Sequence, residues 1–283
     1  MTISKSKNYN DDGPDKSVKV SVVMAVWRDD SPNQIVAAID SVLAQSLKPS
    51  EFVVVIDGPV DETIHDCLTC YSRRGEITLL RLSKNIGRGG ARNHGINASS
   101  GQLIAIMDAD DICRPTRLAQ QSDFIMHQSI DVLGGLISEF DQFVGDKVSI
   151  RKVPQNHDSI CQLLRRISAF NHVTLMFRRE VFDLIGGYRP LNYVEDWDFY
   201  LRCENAGARF ANLDTVLVDV RRALRRRRSA EYFREEMRVM NDAYRRGQFG
   251  LTDLVVGYVL RTAKLFIPIF LYTFVDKHIL RRY

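Results

Sequence analysis

The sequence has no strong excess of charge of either sign. Its 39 lysine and arginine residues stand against 35 aspartate and glutamate residues, which leaves a net charge of +4 over 283 residues. A charge this small does not by itself indicate an acidic partner, and no nucleic-acid-binding module is recognisable around the basic residues. We therefore expect no nucleic-acid partner.

The sequence also lacks an apolar secretory leader. Residues 1–17 are polar and rich in Asp, Lys and Asn, a composition typical of a disordered lead. The five cysteines form an odd set, which fits a reducing compartment better than a disulfide framework. Cys67 and Cys70 have the spacing of a metal or redox pair, but no second pair completes a zinc site, so packing is the favoured interpretation. These absences predict a cytoplasmic protein.

No apolar run is long enough to cross a membrane. Residues 251–283 contain two apolar blocks, each shorter than the ~20 residues that a spanning helix needs. Arg261, Lys264 and Pro268 interrupt these blocks, and basic residues follow them. The pattern predicts helices that lie in the interface of an anionic membrane. A helical cap over the rest of the chain would use the same apolar residues and is the alternative.

The sequence does contain a regular alternation of apolar strands and amphipathic helices. Strands are predicted at residues 18–27, 52–56, 77–82, 103–107, 132–140, 147–153, 170–177 and 216–220. Helices are predicted at 35–47, 64–71, 116–127, 159–167, 179–185, 199–203 and 231–246. Short alternation of this kind predicts an α/β fold with a mostly parallel sheet. Such sheets bind ligands beyond the carboxyl ends of their strands, where Trp27, Asp57 and Asp108 fall.

The strand at 103–107 ends in a cluster of carboxylates. Asp108, Asp110 and Asp111 follow it directly, and no basic residue occurs before Arg114. Three carboxylates at the tip of a buried strand repel one another and lose hydration unless a cation or hydrogen-bond donors neutralise them. One aspartate would suffice to cap the following helix, whereas three favour a hard divalent ion held by oxygen ligands.

A glycine-rich, basic segment at residues 85–95 follows the third strand. Its glycines allow close backbone approach, and a helix starting near Gly90 would offer free N–H groups beside Arg88 and Arg92. An anion such as a diphosphate could bind there, although the spacing is that of neither the Walker loop nor the dinucleotide fingerprint. Tight packing of a small helix face around Gly95 on the sheet is a compatible alternative.

A second acidic centre comprises Glu195, Asp196 and Asp198. Acidic residues favour a helix start electrostatically, so capping is one explanation. Catalysis is the other, because a carboxylate can act as a general base that takes a proton from a substrate. His172 could be a ligand, but a satisfied structural histidine is the favoured interpretation. Trp197 could stack on a ligand, although core packing is the commoner role of tryptophan.

Four blocks of sequence occur in a fixed order. They are Ser-Val-Val-Met-Ala-Val-Trp at 21–27, Val-Val-Val-Ile-Asp-Gly-Pro at 53–59, Asn-Ile-Gly-Arg-Gly-Gly-Ala-Arg-Asn-His-Gly at 85–95 and Met-Asp-Ala-Asp-Asp at 107–111. Together they resemble the family 2 glycosyltransferases, over about residues 18–222, and especially bacterial enzymes of surface-polysaccharide assembly of the amylovoran and colanic acid type. The resemblance implies an inverting enzyme with the GT-A fold, a Rossmann-like sheet flanked by helices.

The resemblance also implies roles for individual residues. The nucleotide sugar would contact residues at the strand ends and in the glycine-rich segment, namely Ala25, Trp27, Asp57, Arg88 and Asp108. A Mg²⁺ or Mn²⁺ ion would be held by Asp110 and Asp108 and would bind the diphosphate of the donor. Asp196 would be the catalytic base, and Glu195 would contact the acceptor or the donor sugar.

The sequence departs from the family pattern in two places. Many members have two adjacent aspartates after the second strand, of which the first contacts uracil; here that position is Ile56, so a UDP-sugar donor lacks that support. Many members also place a histidine after the last strand to complete the metal site, but none occurs between His172 and His278. The arginine-rich segment at 221–228 could instead clamp the diphosphate as a lid, or be solvated surface charge.

The implied organisation is a disordered lead (residues 1–17), a GT-A catalytic domain (18–222) and a basic, apolar, membrane-associating helical tail (223–283). The catalytic domain would divide into a nucleotide-binding half (18–111) and an acceptor half (112–222). The implied activity is that of a hexosyltransferase that moves a sugar from a UDP-sugar to a lipid-linked saccharide at the inner face of the cell membrane. The alternatives are a nucleotidyltransferase and a non-catalytic module that binds a nucleotide sugar or polysaccharide.

Overall fold

A computed structural model of the chain describes residues 18–141, 144–222 and 229–266. Its strands are β1 (Val20–Val26), β2 (Glu51–Ile56), β3 (Thr78–Arg81), β4 (Leu103–Asp108), β5 (Ile112–Cys113), β6 (Val132–Phe140), β7 (Lys147–Arg151), β8 (Met176–Arg178) and β9 (Phe210–Arg221). Its helices are α1 (Pro32–Leu43), α2 (Glu62–Arg73), α3 (Arg88–Asn97), α4 (Arg117–His127), α5 (His157–Leu164), α6 (Arg179–Ile185), α7 (Glu195–Asn205), α8 (Ala230–Arg245) and α9 (Leu251–Phe266).

These strands form one sheet in the order β3-β2-β1-β4-β8-β6-β9-β5, with β7 paired on β6. The first four strands run parallel to one another, and β6 and β9 form a second parallel pair. The short β8 runs antiparallel between β4 and β6 and joins the two groups. The longest pairings are therefore parallel, as predicted, and the carboxyl ends of β1, β2 and β4 lie side by side at one edge.

Helices cover both faces of the sheet, which is why β1 and β4 are almost entirely apolar. Alternate residues of a strand point to opposite faces. Val22 and Met24 pack in the core beneath α1, α2 and α4, whereas Val23 packs with Ile104 and Ile106 in the core beneath α3 and α5–α8. Strands buried on both sides need a continuous apolar run rather than alternation, and the apolar runs in the sequence predict both strands correctly.

Helix α3 lies very close to the sheet. A Cβ atom on Gly95 would come within 2.5 Å of Val23 Cγ1 and 3.0 Å of Val55 Cγ2, so a larger residue would push the helix away. This confirms the small packing face predicted for the glycine-rich segment. The close contact fixes α3 so that its first residue, Arg88, lies at the edge where the parallel strands end.

The predicted strand at 170–177 is only partly correct. The structure has a 3-10 turn at His172–Thr174, and strand β8 begins after it. Asn171 Nδ2 donates to Gly135 O (2.9 Å), and Thr174 Oγ1 donates to Asn171 O (2.7 Å). Short polar side chains that bond to backbone groups compete with sheet pairing, and here they end the strand early.

The described part of the tail consists of α8 and α9. In the residues that the structure describes, no helix has both the length and the apolar character needed to cross a membrane. The disordered lead predicted at 1–17, most of the arginine-rich segment, and the chain beyond Phe266 lie outside the described residues. Association of the tail with a membrane therefore stays a prediction.

Candidate active site

Asp57 directly follows β2 at the carboxyl edge of the sheet and is buried. Its Oδ1 accepts the N–H of Ile86 (2.7 Å), and its carbonyl oxygen accepts Asn85 Nδ2 (3.3 Å). The next residue, Gly58, has φ +89°, and a Cβ atom there would lie 2.6 Å from Asn85 N. Asp57 therefore holds the glycine-rich segment against the end of β2, in addition to any contact with a nucleotide.

The other predicted nucleotide-binding residues surround the same edge. Ala25 lies in register with Asp108 of β4, and Trp27, just beyond β1, is 41% exposed. Arg88 is exposed at the start of α3. Its positive charge helps to lower the pKa of carboxyl groups on both sides of the cleft, Asp30 and Glu195, although burial outweighs this effect at each. Arg88 is therefore placed to attract an anion.

The three aspartates at the end of β4 and directly after it have different surroundings. Asp108 is partly exposed, and its Oδ1 accepts Arg92 Nη2 at 2.8 Å. Asp110 is also partly exposed. Asp111 is buried, and its Oδ1 accepts the N–H of Arg221 at the end of β9 (2.9 Å). Asp111 thus joins two strand ends, while Asp108 and Asp110 stay at the cleft.

A further carboxylate, Asp30, belongs to this group and was not predicted. It accepts the N–H of Trp27 at 2.9 Å in the turn after β1. Partial burial raises the pKa of Asp30 to about 6; the hydrogen bond from Trp27 opposes this, and the charges of Asp110 and Asp108 add to the rise. In the sequence Asp30 resembles an ordinary helix-start residue. Only the fold shows that its carboxyl group lies in the field of the other two.

The carboxylate oxygens at this edge of the sheet fit a divalent ion that is held in part by the phosphates of a bound substrate. Among the described residues, no three His, Cys, Asp or Glu side chains are arranged as a closed metal site. Mg²⁺ commonly binds through one or two carboxylates together with substrate phosphates and water. Asp108 and Asp110 could supply two such oxygen ligands. Burial is the main cause of the raised pKa of Asp30, and a bound cation would relieve the smaller contribution from the charges of Asp110 and Asp108.

The second acidic centre forms the first turn of α7, rather than preceding the helix. Asp196 is partly exposed, and its Oδ1 accepts the N–H of Trp197 (2.7 Å). Glu195 is buried; this burial and the charge of Asp196 raise its pKa above the usual range. Asp198 is completely buried between Arg202 (2.7 Å) and Arg189 (3.4 Å). Asp198 is thus a structural ion-pair partner, and Glu195 and Asp196 remain as the functional candidates.

Arg92 connects the two acidic centres. Its buried guanidinium donates to Asp108 on β4 (2.8 Å) and to Glu195 on α7 (3.4 Å). These carboxylates, chiefly Asp108, raise the pKa of Arg92, although burial opposes them. The sequence suggested that Arg92 faces an anion together with Arg88, but it points inward instead. One guanidinium thus lies within hydrogen-bond distance of a carboxylate from each centre, so the two centres are neighbours in the fold.

His172 lies next to this arginine. Its Nδ1 is 2.6 Å from Tyr200 Oη, and its Nε2 is 3.5 Å from Tyr188 Oη. Burial, followed by the charge of Arg92, lowers the pKa of His172 well below the usual range, so the ring is neutral. Both ring nitrogens thus have hydrogen-bond partners, as the structural interpretation predicts. Trp197 is also a core residue, since its Nε1 donates to Leu164 O (2.8 Å).

The loop before the second acidic centre is held by the tail. The carboxylate of Glu235 on α8 accepts the N–H groups of Asn192 (2.9 Å) and Tyr193 (2.9 Å). Glu231, one turn earlier, accepts the hydroxyl of Tyr193 (3.2 Å). Sequence analysis did not predict these contacts, because α8 lies about 40 residues further along the chain. The tail helix therefore supports the start of α7.

Two neighbouring groups of carboxylates thus lie near the carboxyl edge of a mostly parallel α/β sheet, where such sheets bind ligands. The family model described as "Glycosyl transferase family 2" matches residues 21–186. The chain belongs to this family and is a glycosyltransferase.

Two curated relatives match most of the chain. The amylovoran biosynthesis glycosyltransferase AmsE of Erwinia amylovora is 28% identical over 253 residues, covering 88% of this chain and 94% of the relative. The UDP-Gal:alpha-D-GlcNAc-diphosphoundecaprenol beta-1,3-galactosyltransferase of Escherichia coli is 29% identical over 273 residues, covering 95% and 99%. The solved mannosyltransferase PcManGT of Pyrobaculum calidifontis, in complex with GDP-Man and Mn²⁺, has a TM-score of 0.59 at 14% identity, covering 95% of this chain and 87% of that one. This last similarity is one of fold.

Proposed function

We propose that the protein is an inverting hexosyltransferase that moves a sugar from a nucleotide-diphosphate sugar, a UDP-sugar, to a lipid-linked saccharide in surface-polysaccharide biosynthesis. One observation carries the mechanism: Arg92 contacts both Asp108 and Glu195. This contact brings Asp108 next to the first turn of α7, which carries Asp196, so the groups proposed to act on the donor diphosphate and on the acceptor can act on one bond. Two relatives, one named for amylovoran biosynthesis and one for a diphosphoundecaprenol-linked acceptor, support the substrate class.

The nucleotide sugar would lie across the ends of β1, β2 and β4. Ala25, Trp27 and Asp57 would contact the nucleoside, and Arg88 would neutralise part of the diphosphate charge. Asp110 and Asp108 would hold Mg²⁺ or Mn²⁺ at the diphosphate. A bound divalent ion supplies Lewis-acid stabilisation of the departing nucleoside diphosphate. The Mn²⁺ in the PcManGT complex supports this assignment.

Asp196 would act as the base on the acceptor side. As the acceptor oxygen bonds to the anomeric carbon, its proton passes to the Asp196 carboxylate, and the bond between the sugar and the diphosphate breaks. The attack comes from the side opposite the leaving group, so the configuration inverts and no covalent enzyme intermediate forms. Glu195, which Arg92 and the start of α7 hold in place, would orient the sugar.

The tail would bring the enzyme to its lipid-linked acceptor. Helix α9 carries five apolar residues that are each 49% to 62% exposed, namely Leu251, Val255, Val256, Val259 and Leu260. An exposed apolar helix face with basic residues nearby is typical of contact with an anionic membrane. We infer a cytoplasmic enzyme that is peripheral on the inner face of the cell membrane. Deletion of residues 251–283 should release it from the membrane fraction; unchanged fractionation would refute the contact.

Donor hydrolysis across a panel of nucleotide sugars tests the proposed function. With Mn²⁺ present, the wild-type protein should hydrolyse one class of donor, and a chelator should abolish this. Asp110→Asn should lose hydrolysis, because the carboxylate that holds the ion is gone. A protein that binds a donor but never turns it over, with or without metal, would instead be a binding module. The matched control is Asp214→Asn, an exposed aspartate in β9.

A further inference from the structure

A groove between α8 and α9 has no role in the chemistry proposed above. It encloses about 450 Å³ and is lined by Phe233, Arg234, Met237, Arg238, Asn241, Asp242, Arg245 and Tyr258. The two helices are tied together beside it, because Asn241 Nδ2 donates to Tyr258 Oη (2.7 Å) and Arg261 pairs with Glu236 (3.0 Å). These contacts give the groove a fixed shape in the described structure.

The groove carries two arginines for which the described residues form no ion pair. Asp242 is its acidic member, and it already pairs with Arg189 (3.1 Å) and Arg245 (3.5 Å). Arg234 and Arg238 lie one turn apart on α8 and are exposed. Within residues 18–141, 144–222 and 229–266, neither of them forms an ion pair or a side-chain hydrogen bond. Two guanidinium groups at one rim match a phosphate, which accepts several hydrogen bonds from arginine.

The other side of the groove is apolar. Phe233, Met237 and Tyr258 form the apolar part of its lining. Outside the groove, α9 also exposes the apolar residues Val255, Val256 and Val259. Tyrosine at a boundary between apolar and polar surroundings is typical of membrane interfaces. A ligand that matches both sides must combine a phosphate with a hydrocarbon chain.

We propose that this groove binds the headgroup of an anionic phospholipid in the membrane surface. Arg234 and Arg238 hold the phosphate, and the valine face of α9 enters the boundary of the acyl chains. This inference rests on the proposed membrane contact and specifies its binding site. Because Glu235, next to Arg234, holds the loop before Asp196, a lipid in the groove would also set the orientation of the catalytic cleft to the membrane.

Vesicle co-sedimentation with the full-length chain tests the assignment. The protein is mixed with vesicles of phosphatidylcholine alone, or of phosphatidylcholine with phosphatidylglycerol. The double variant R234Q/R238Q should bind the anionic vesicles roughly thirtyfold more weakly than wild type, which corresponds to about 1 kcal/mol for each arginine. The control R73Q/R209Q removes the same charge from exposed positions outside the groove and should lose far less. Equal losses in the two doubles would overturn the proposal.

Two further measurements separate the alternatives. Binding of farnesyl diphosphate that depends on Arg234 and Arg238, with no response to phosphatidylglycerol, would overturn the assignment and identify a site for the lipid carrier of the acceptor. Donor hydrolysis is assayed in the same preparations and should be unchanged in R234Q/R238Q. Vesicle binding without any hydrolysis in the wild type would refute the proposed enzyme activity but not the lipid site.

Discussion

The first acidic centre (Asp108, Asp110 and Asp111) lies at the end of a strand, and the second (Glu195, Asp196 and Asp198) lies at the start of a helix. In each centre, one carboxylate stabilises the fold and the other two are candidates for contact with a substrate. Asp111 in the first and Asp198 in the second are buried and bonded to neighbouring groups. Asp110 and Asp196 are partly exposed. A cluster of three acidic residues in a sequence therefore does not mean that all three carboxylates are available to a substrate.

The comparison also shows which partners a sequence can reveal. Arg202 follows Asp198 by four residues on the same helix, a spacing that predicts contact. Asp111 bonds to the backbone of Arg221, 110 residues away, and only the folded sheet brings them together. Local spacing in the sequence therefore predicts the structural role of Asp198 in the second centre but not that of Asp111 in the first.

The largest expected effect comes from Asp196→Asn. Removal of a general base should lower the rate of sugar transfer by a factor of roughly a hundred to ten thousand, because the acceptor proton then has no carboxylate to receive it. Affinity for the nucleotide sugar should stay near the wild-type value, since the proposed mechanism assigns Asp196 to the acceptor side. Transfer kinetics and donor titration measure the two effects separately. Near-native transfer would show that another residue is the base.

Asp198→Asn should act on stability instead. It leaves Arg202 buried without its charged partner, and breaking such a pair costs about 3–5 kcal/mol. Denaturant unfolding measures the loss. Asp111→Ala, in the other centre, should cost about 1–3 kcal/mol, the range for a buried hydrogen-bond group left unpaired. If Asp198→Asn left stability unchanged but abolished transfer, our division between structural and functional carboxylates would be wrong.

Glu235→Ala tests whether the tail supports the second centre. It removes the acceptor of two backbone N–H groups, worth about 1–3 kcal/mol, and so should loosen the loop before α7. We expect transfer to fall about tenfold while the donor KM changes little, because the first centre is untouched. Glu231→Ala, which loses side-chain contacts of the same loop, is the control and should have a smaller effect. A change confined to donor KM would contradict this role.

The smallest effect concerns Asp30 in the metal-free protein. Its pKa rises from 3.8 to about 6 on folding, so the folded state holds the proton more tightly, and stability is lost as pH rises through that interval. Asp30→Asn should therefore stabilise the protein by about 1 kcal/mol near pH 7.5 and hardly at all near pH 4. This stabilisation is well below the free energy that corresponds to the whole pKa shift, because Asp30 is partly exposed and solvent screens its charge. Unfolding with a chelator present, at both pH values, measures it; equal gains would contradict the assignment.

Much of the fold could be predicted from local patterns, but the cleft could not be predicted completely. The apolar runs of β1 and β4 predict strands buried on both sides, and the ends of those strands locate the first centre. Arg92 looks like a partner for an anion because its helix follows a glycine-rich loop, and only packing turns it toward Glu195. In the sequence, Asp30 resembles an ordinary turn residue. Its proximity to Asp110 could not be predicted, because it depends on how the turn after β1 folds over the edge of the sheet.

The proposed mechanism requires that Asp110 and Asp196 face one cleft, with Asp110 acting on the donor and Asp196 on the acceptor. The most direct test is anomalous scattering from Mn²⁺ in crystals grown with UDP. We predict a manganese peak bonded to Asp110, Asp108 and the diphosphate, with the Asp196 carboxylate across the cleft and room for one sugar between them. A peak away from Asp110, or an Asp196 carboxylate that points away from the nucleotide, would contradict the account.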